Sequence, residues 1–202
     1  EISDKMFEGQ KFQKLKKYRK MISELNLNGI KTTTETFMCG KRYRDIDFSK
    51  VSSVCMHRNR KAFLNEKLKG SGFRSSDEDR MVAREHLISA KKIKGGELFP
   101  YEVCRSCIET RPSESEISVL HKQWVDMRTK MLELMKENGA EADNTVVMSD
   151  VSGSMTINNN IPLLVSISLG IMFSELCNEA YKNLVLTFDS NPIFYDLSGC
   201  EN

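Results

Sequence analysis

Hydrophobic positions follow a helical period through most of the chain and give way to short apolar runs near residue 143. Phe12, Leu15, Ile22 and Leu25 recur at helical spacing and predict a first helix over 10–25. The stretch 26–36, with Asn28-Gly29 and a run of threonines, predicts a break. Helical character returns over 54–68, and Gly70-Ser71-Gly72 is a flexible join. A further helix is expected over 77–92, with Met81, Val82, Leu87 and Ile88 on or near one face and Gly95-Gly96 as its C-terminal stop. Pro100 suits the first position of the next helix, over 101–109. The longest periodic run, 113–138, places Ile117, Leu120, Trp124, Met127, Met131 and Leu134 three or four apart. Ser113 followed by Glu116 forms a capping box, and Gly139 ends the helix. No internal repeat recurs at a fixed period.

From Asp143 the pattern changes. Thr145-Val146-Val147-Met148 is a short apolar run of the kind found in a buried parallel strand. A polar loop, 149–155, separates it from 161–181, which is apolar almost all round and too short and serine-rich for a membrane span. That stretch predicts a helix buried against a sheet. Leu184 to Phe188 and Ile193 to Leu197 supply two more strands, joined by an Asp189-Ser190-Asn191-Pro192 turn. Strand, long helix, strand is a βαβ unit of the doubly wound class. The expected organisation is a mainly helical region over 1–140 and an α/β segment over 141–202.

Charge sharpens this division. The 202 residues carry a net charge of only +2, yet 143–202 contain one lysine against seven acidic residues, a balance of −6, which leaves +8 for 1–142. Lys14, Lys16, Lys17 and Lys20 crowd the first helix, where they are either a nucleic-acid patch or the solvated face of an ordinary helix. With 40% hydrophobic and 29% charged residues, the composition is globular and excludes a disordered or collagenous chain. No basic segment leads into an apolar one at the N-terminus, so no signal peptide is expected. The six cysteines are then reduced thiols, and an intracellular, cytoplasmic location is expected. Cys104-x-x-Cys107 with Cys55, His57 or His86 could complete a zinc site, but cysteines three apart on a helix are more simply core thiols. The chain opens at Glu1 without Met, as expected of a fragment or processed piece.

The loop Asp150-Val151-Ser152-Gly153-Ser154-Met155 carries the most chemical information. It follows the first strand, where open α/β sheets place their ligands. Asp150, Ser152 and Ser154 offer one carboxylate and two hydroxyls, hard donors suited to Mg²⁺, with Mn²⁺ or Ca²⁺ as alternatives. Gly153 is expected to let the loop turn tightly enough to aim both hydroxyls at one point. A cation held by few charges stays electron-poor and can accept a carboxylate from a protein partner. The serine elbow G-x-S-x-G is not matched, since Asp150 precedes Ser152 at the glycine position.

This loop resembles the metal-ion-dependent adhesion site of von Willebrand factor A domains, with its D-x-S-x-S signature. The resemblance continues through the apolar helix from Ile161 and the strand Leu184 to Phe188, and covers 143–202. It implies that Asp150, Ser152 and Ser154 hold the metal directly or through water, and that further ligands come from later loops, Thr187 and Asp189 lying too early to supply them. It also implies a truncated sheet with strands in order 3-2-1, the first strand an edge, and marginal stability without the remainder. The stretch Val51 to Phe63, the Gly95-to-Pro100 turn and the Trp124 helix resemble an uncharacterised intracellular family of eukaryotes and large DNA viruses. The arrangement is also similar to that of Ro-type RNA-binding proteins, in which a helical module (TROVE) precedes such a domain. A non-enzymatic, cation-dependent protein-binding module is therefore expected, with RNA binding by the basic helical region as the alternative.

Overall fold

A computed structural model describes residue 7 and residues 11–25, 33–140 and 145–200, and divides the chain into two compact units, 1–47 and 48–202. The smaller unit holds helix α1 (Lys11–Leu25), helix α2 (Thr33–Cys39) and a 3-10 turn at Tyr43–Asp45. Gln10 and residues 26–32 of the expected break lie outside the described residues. Helix α2 occupies part of that break. Threonine is a poor helix former, but Glu35 in the first turn complements the positive end of the helix dipole. Tyr43 and Ile46 are buried, and the Arg42 guanidinium lies 5.0 Å over the Phe37 ring.

The larger unit begins with four helices, α3 (Ser53–Phe63), α4 (Glu78–Ser89), α5 (Pro100–Thr110) and α6 (Glu114–Glu137). Their starts follow local chemistry. The Ser52 hydroxyl accepts from Cys55 N–H, the Asp77 carboxylate from Asp79 N–H, and Glu102 reaches back to Phe99 N–H ahead of Pro100. Ser113 and Glu116 close the reciprocal capping box. Helix α3 ends well before residue 68 because Asn65 takes a left-handed φ of 58° and spends its buried amide on Ser75, donating to the carbonyl at 2.7 Å and accepting from the N–H at 3.2 Å.

Two expectations for the helical part are corrected. Gly95-Gly96 does not stop a helix, since α4 ends at Ser89. The pair instead allows close approach to α6. A Cβ on Gly95 would sit 2.0 Å from the Gln123 carbonyl oxygen, and one on Gly96 would meet the Lys130 side chain. Both N–H groups donate to the Asp126 carboxylate, at 2.8 and 3.1 Å. The buried face of α6 is also more polar than its apolar period predicts. Ile117 and Leu134 are exposed, whereas Glu116, Gln123 and Asp126 are buried beside Val119, Leu120 and Met127. Glu116 sits between Arg60, at 3.0 Å, and Lys61, at 3.5 Å, so the same carboxylate caps its helix and satisfies a buried cation.

The chain then forms β1 (Val147–Asp150), α7 (Ile157–Ser174), β2 (Leu184–Phe188) and β3 (Phe194–Asp196). The sheet is three-stranded and mixed, in order β1-β2-β3, with β2 central as expected. Strands β1 and β2 are parallel, pairing Val147 with Val185 and Asp150 with Phe188, while β3 returns antiparallel with Tyr195 opposite Val185. The class is α+β: a helix-rich chain ending in a small mixed sheet.

Helix α7 covers one face of this sheet so closely that a Cβ on Gly170 would lie 2.0 Å from the Ser149 hydroxyl. By length and composition, Gly153–Ser174 could cross a membrane, yet here it packs on the sheet and on α5. Met148, Phe188 and Phe194, on the opposite face by strand alternation, are exposed. The helix ends at Ser174, seven residues earlier than expected. Leu98, Val103, Leu120, Met127 and Met172 form one core cluster, with Val54 and Trp124 packed against it. The core of the larger unit thus runs across residues 140–141, where the sequence pattern changes.

Candidate functional site

Asp150 closes β1 rather than opening the loop, and its pairing with Phe188 fixes the carboxylate at the C-terminal end of two parallel strands. The loop is anchored there by Val151 N–H, which donates to the Phe188 carbonyl at 3.1 Å. Ser152 N–H folds back onto Asp150 Oδ1 at 2.9 Å, forming an Asx turn. This turn brings Ser152 Oγ within 2.9 Å of Ser154 Oγ. A 3-10 turn over Gly153–Thr156 carries the second serine, and Thr156 Oγ1 donates to the Gly153 carbonyl at 2.7 Å. The structure thus brings Asp150, Ser152 and Ser154 together, with Ser154 exposed and the other two partly so. Gly153 opens this tight turn, but no contact there requires a glycine. Its φ is not left-handed, and a Cβ there would meet nothing within 4 Å.

The Ser152 hydroxyl and N–H hold the Asp150 carboxyl below the usual carboxylate range, against a smaller opposing effect of burial. The group is therefore anionic at neutral pH. The hydroxyl separation also fits a metal. Two oxygens on adjacent corners of an octahedron with bonds of about 2.05 Å stand about 2.9 Å apart, so a hydroxyl pair at hydrogen-bond distance already has the spacing that Mg²⁺ requires. Thr187 is committed elsewhere, its hydroxyl donating to the Ile193 carbonyl and accepting from Ile193 N–H. Asp189 is turned onto Ser190 N–H at 2.7 Å. Among the described residues no three His, Cys, Asp or Glu side chains gather as a metal-holding group, so Cys104 and Cys107 do not complete a zinc site with Cys55, His57 or His86. Burial, then the neighbouring Cys107, pushes the Cys104 thiol up to about 11, but Cys104 is only half-buried and Cys107 is exposed, so the pair is not the core pair expected.

A feature beside the site was not anticipated. Asn158, Asn159 and Asn160 all adopt left-handed φ values, 50°, 56° and 61°, before the right-handed part of α7 begins around Pro162. Three successive left-handed residues are costly for most side chains and least so for asparagine. The run of three asparagines was the available signal. Pro162 explains why the turn does not simply extend the helix: its ring excludes the carbonyl of Asn158, four residues back, from a right-handed turn.

Lys14, Lys16, Lys17 and Lys20 all lie on α1 in the smaller unit. Lys16, Lys17 and Lys20 are exposed and Lys14 is half-buried, with Lys20 paired to Glu24 at 3.9 Å. At 100° per residue, the four fall within about half of the helix circumference.

Residues 144–202, which include the whole sheet, the site loop and α7, match the family model of a domain of unknown function, DUF7788. An uncharacterised protein, L728, of Acanthamoeba polyphaga mimivirus is similar over 190 residues at 25% identity, covering 91% of this chain. The chain spans about a third of that relative's length, 31%. The similarity reaches the helical part as well as the sheet, and agrees with the expected likeness to an uncharacterised family with members in large DNA viruses. No solved structure matches.

Proposed function

We propose that the protein is a non-enzymatic binding module that recognises a protein partner through a divalent cation held by Asp150, Ser152 and Ser154. The observation that carries this reading is the convergence of one ionised carboxylate and two hydroxyls, 2.9 Å apart, at the open end of parallel strands. The donor set suits Mg²⁺, and Mn²⁺ or Ca²⁺ by the same hard-oxygen chemistry. Three protein oxygens leave corners for water and for a carboxylate brought by the partner, and the bound cation supplies the charge that attracts it. The resemblance of the loop to the D-x-S-x-S site of von Willebrand factor A domains supports the same reading. The six free thiols accord with an intracellular, cytoplasmic setting.

The test is partner capture with Mg²⁺ and again with chelator, alongside direct Mg²⁺ titration by calorimetry. The reading expects capture that needs the cation and is lost in Asp150→Ala. Cation-dependent capture unchanged by that substitution would exclude it.

A second reading rests on a separate observation, the exposed basic half of α1. RNA binding there predicts affinity that falls steeply with salt, because phosphate contacts release counterions. Charge reversal at Lys14, Lys16, Lys17 and Lys20 would abolish RNA retention; unchanged retention would dismiss this alternative.

A further inference from the structure

No described side chain of helix α1 is buried, although the helix is strongly two-faced. At 100° per residue, Leu15, Tyr18, Met21, Ile22 and Leu25 fall within about 120° of its circumference. A stripe of that width ordinarily faces a core. Here Leu15 and Leu25 are exposed and the other three only half-buried. Phe12, 78% exposed, stands just outside the arc, three positions before Leu15. Lys16, Lys17, Arg19 and Lys20 occupy the opposite side and are all exposed. Lys14 enters the apolar arc, a position suited to a long side chain that covers apolar surface with its stem and keeps its charge in water. The helix carries six basic residues against one acidic residue, Glu24, a balance of +5.

This charge selects what covers the stripe. A second copy of α1 would bring +5 against +5, and like charges repel. RNA would engage the lysines through its phosphates but leave Leu15, Ile22 and Leu25 in water. A bilayer with anionic headgroups satisfies both faces at once. The apolar stripe enters the boundary between headgroups and acyl chains, and the cations meet the negative surface. We infer that α1 lies in the plane of an anionic membrane surface, one containing phosphatidylserine, and attaches the chain to it. Its 15 residues extend only about 22 Å, so the helix rests on the bilayer and does not cross it. The attachment uses no residue of the cation site and needs no Mg²⁺.

The experiment is co-sedimentation of the full chain with phosphatidylcholine vesicles, with and without phosphatidylserine, in the presence of chelator. The expected result is retention only where phosphatidylserine is present, weakening as salt rises. Leu15→Gln with Ile22→Gln keeps every charge and places a good helix former at both positions, and should weaken retention about tenfold. Lys16→Glu with Lys20→Glu should abolish it. Equal retention on phosphatidylcholine alone overturns the proposal, as does no retention on either vesicle. Retention that ignores the Leu15 and Ile22 substitutions also overturns it, since the contact would then be electrostatic only. RNA retained by wild type and by that variant, with vesicles retaining neither, assigns α1 to nucleic acid instead. If a variant loses helix by circular dichroism, hydrogen exchange in the wild-type chain decides. Phosphatidylserine vesicles should slow exchange over residues 11–25, and unchanged exchange there overturns the proposal.

Discussion

The indole N–H of Trp124 donates to both carboxylate oxygens of Glu175, at 3.1 and 3.2 Å, while Arg128 closes on the same carboxylate at 2.9 Å. Glu175 caps the C-terminus of α7, an unfavourable place for a negative charge beside the helix dipole. Its two partners on α6 offset that cost and tie the helix that covers the sheet to the helical core.

Glu175→Ala should therefore destabilise the fold by about 1–2 kcal/mol, the cost of leaving a half-buried indole N–H unpaired. The ion pair adds little, because Arg128 is 40% exposed and screened by solvent. Glu175→Gln keeps an acceptor for Trp124 and should cost less. Urea unfolding followed by Trp124 fluorescence measures both; equal losses in the two variants would show that the charge, not the indole bond, is what matters.

Gly95→Ala places a methyl 2.0 Å from a backbone oxygen of α6, which cannot rotate away. A loss of about 3 kcal/mol is expected, the upper range for overpacking. Gly153→Ala is the contrasting case. Its Cβ meets nothing, so stability should change by no more than about 0.5 kcal/mol and Mg²⁺ affinity should be retained. A marked loss of Mg²⁺ affinity in Gly153→Ala would mean that the loop needs a conformation other than the one described.

Asp126 is buried and its pKa is lowered. Burial alone would raise it, but the Gly95 N–H, Lys92, the Gly96 N–H and Lys130 together more than offset that. A carboxylate with a depressed folded pKa stabilises above its unfolded value, near 3.8, and the contribution disappears as pH falls through the lower folded value. Asp126→Asn should cost about 1–2 kcal/mol at pH 7 and flatten the acid limb of the stability profile below pH 4, measured by thermal unfolding against pH. An unchanged acid limb would assign that pH dependence to other carboxylates.

Asp150 gives a pH prediction for binding. Its pKa is lowered chiefly by the Ser152 hydroxyl, so it stays ionised throughout pH 5–8. Mg²⁺ affinity should be flat across that range and fall only as the pH drops below 3.8, as read by calorimetric titration. Asp150→Asn should remove Mg²⁺ binding while leaving the unfolding temperature near the wild-type value, since the side chain lies at an open loop end. Affinity that changes between pH 5 and 8 would point to a ligand other than this carboxylate.

Elements fixed by local chemistry were legible in the sequence. Ser113 and Glu116 announced the start of α6, Pro100 that of α5, and the apolar run from Leu184 to Phe188 gave β2 residue for residue. The order of the strands followed instead from the family resemblance, and the apolar run before Asp150 placed that residue near the end of the first strand. Gly95-Gly96 was misread because a glycine that permits close approach looks, in one dimension, like a glycine that ends a helix. The buried face of α6 was misread because Glu116, Gln123 and Asp126 match a solvated face in period. Only their partners, Arg60, the Ser53 and Lys94 carbonyls, and the Gly95 N–H, turn them inward.

The sequence by itself determined where the chain turns from helix to sheet and which loop offers hard oxygens, because caps, periodicity and donor type act over a few residues. Tertiary structure alone decided that one apolar cluster joins Leu98 to Met172, that Ser152 and Ser154 stand 2.9 Å apart, and that His57 Nε2 comes within 3.1 Å of Ser106 Oγ. Those relations depend on how helices distant in sequence pack, and buried polar groups reveal their purpose only once the partners that satisfy them are in place.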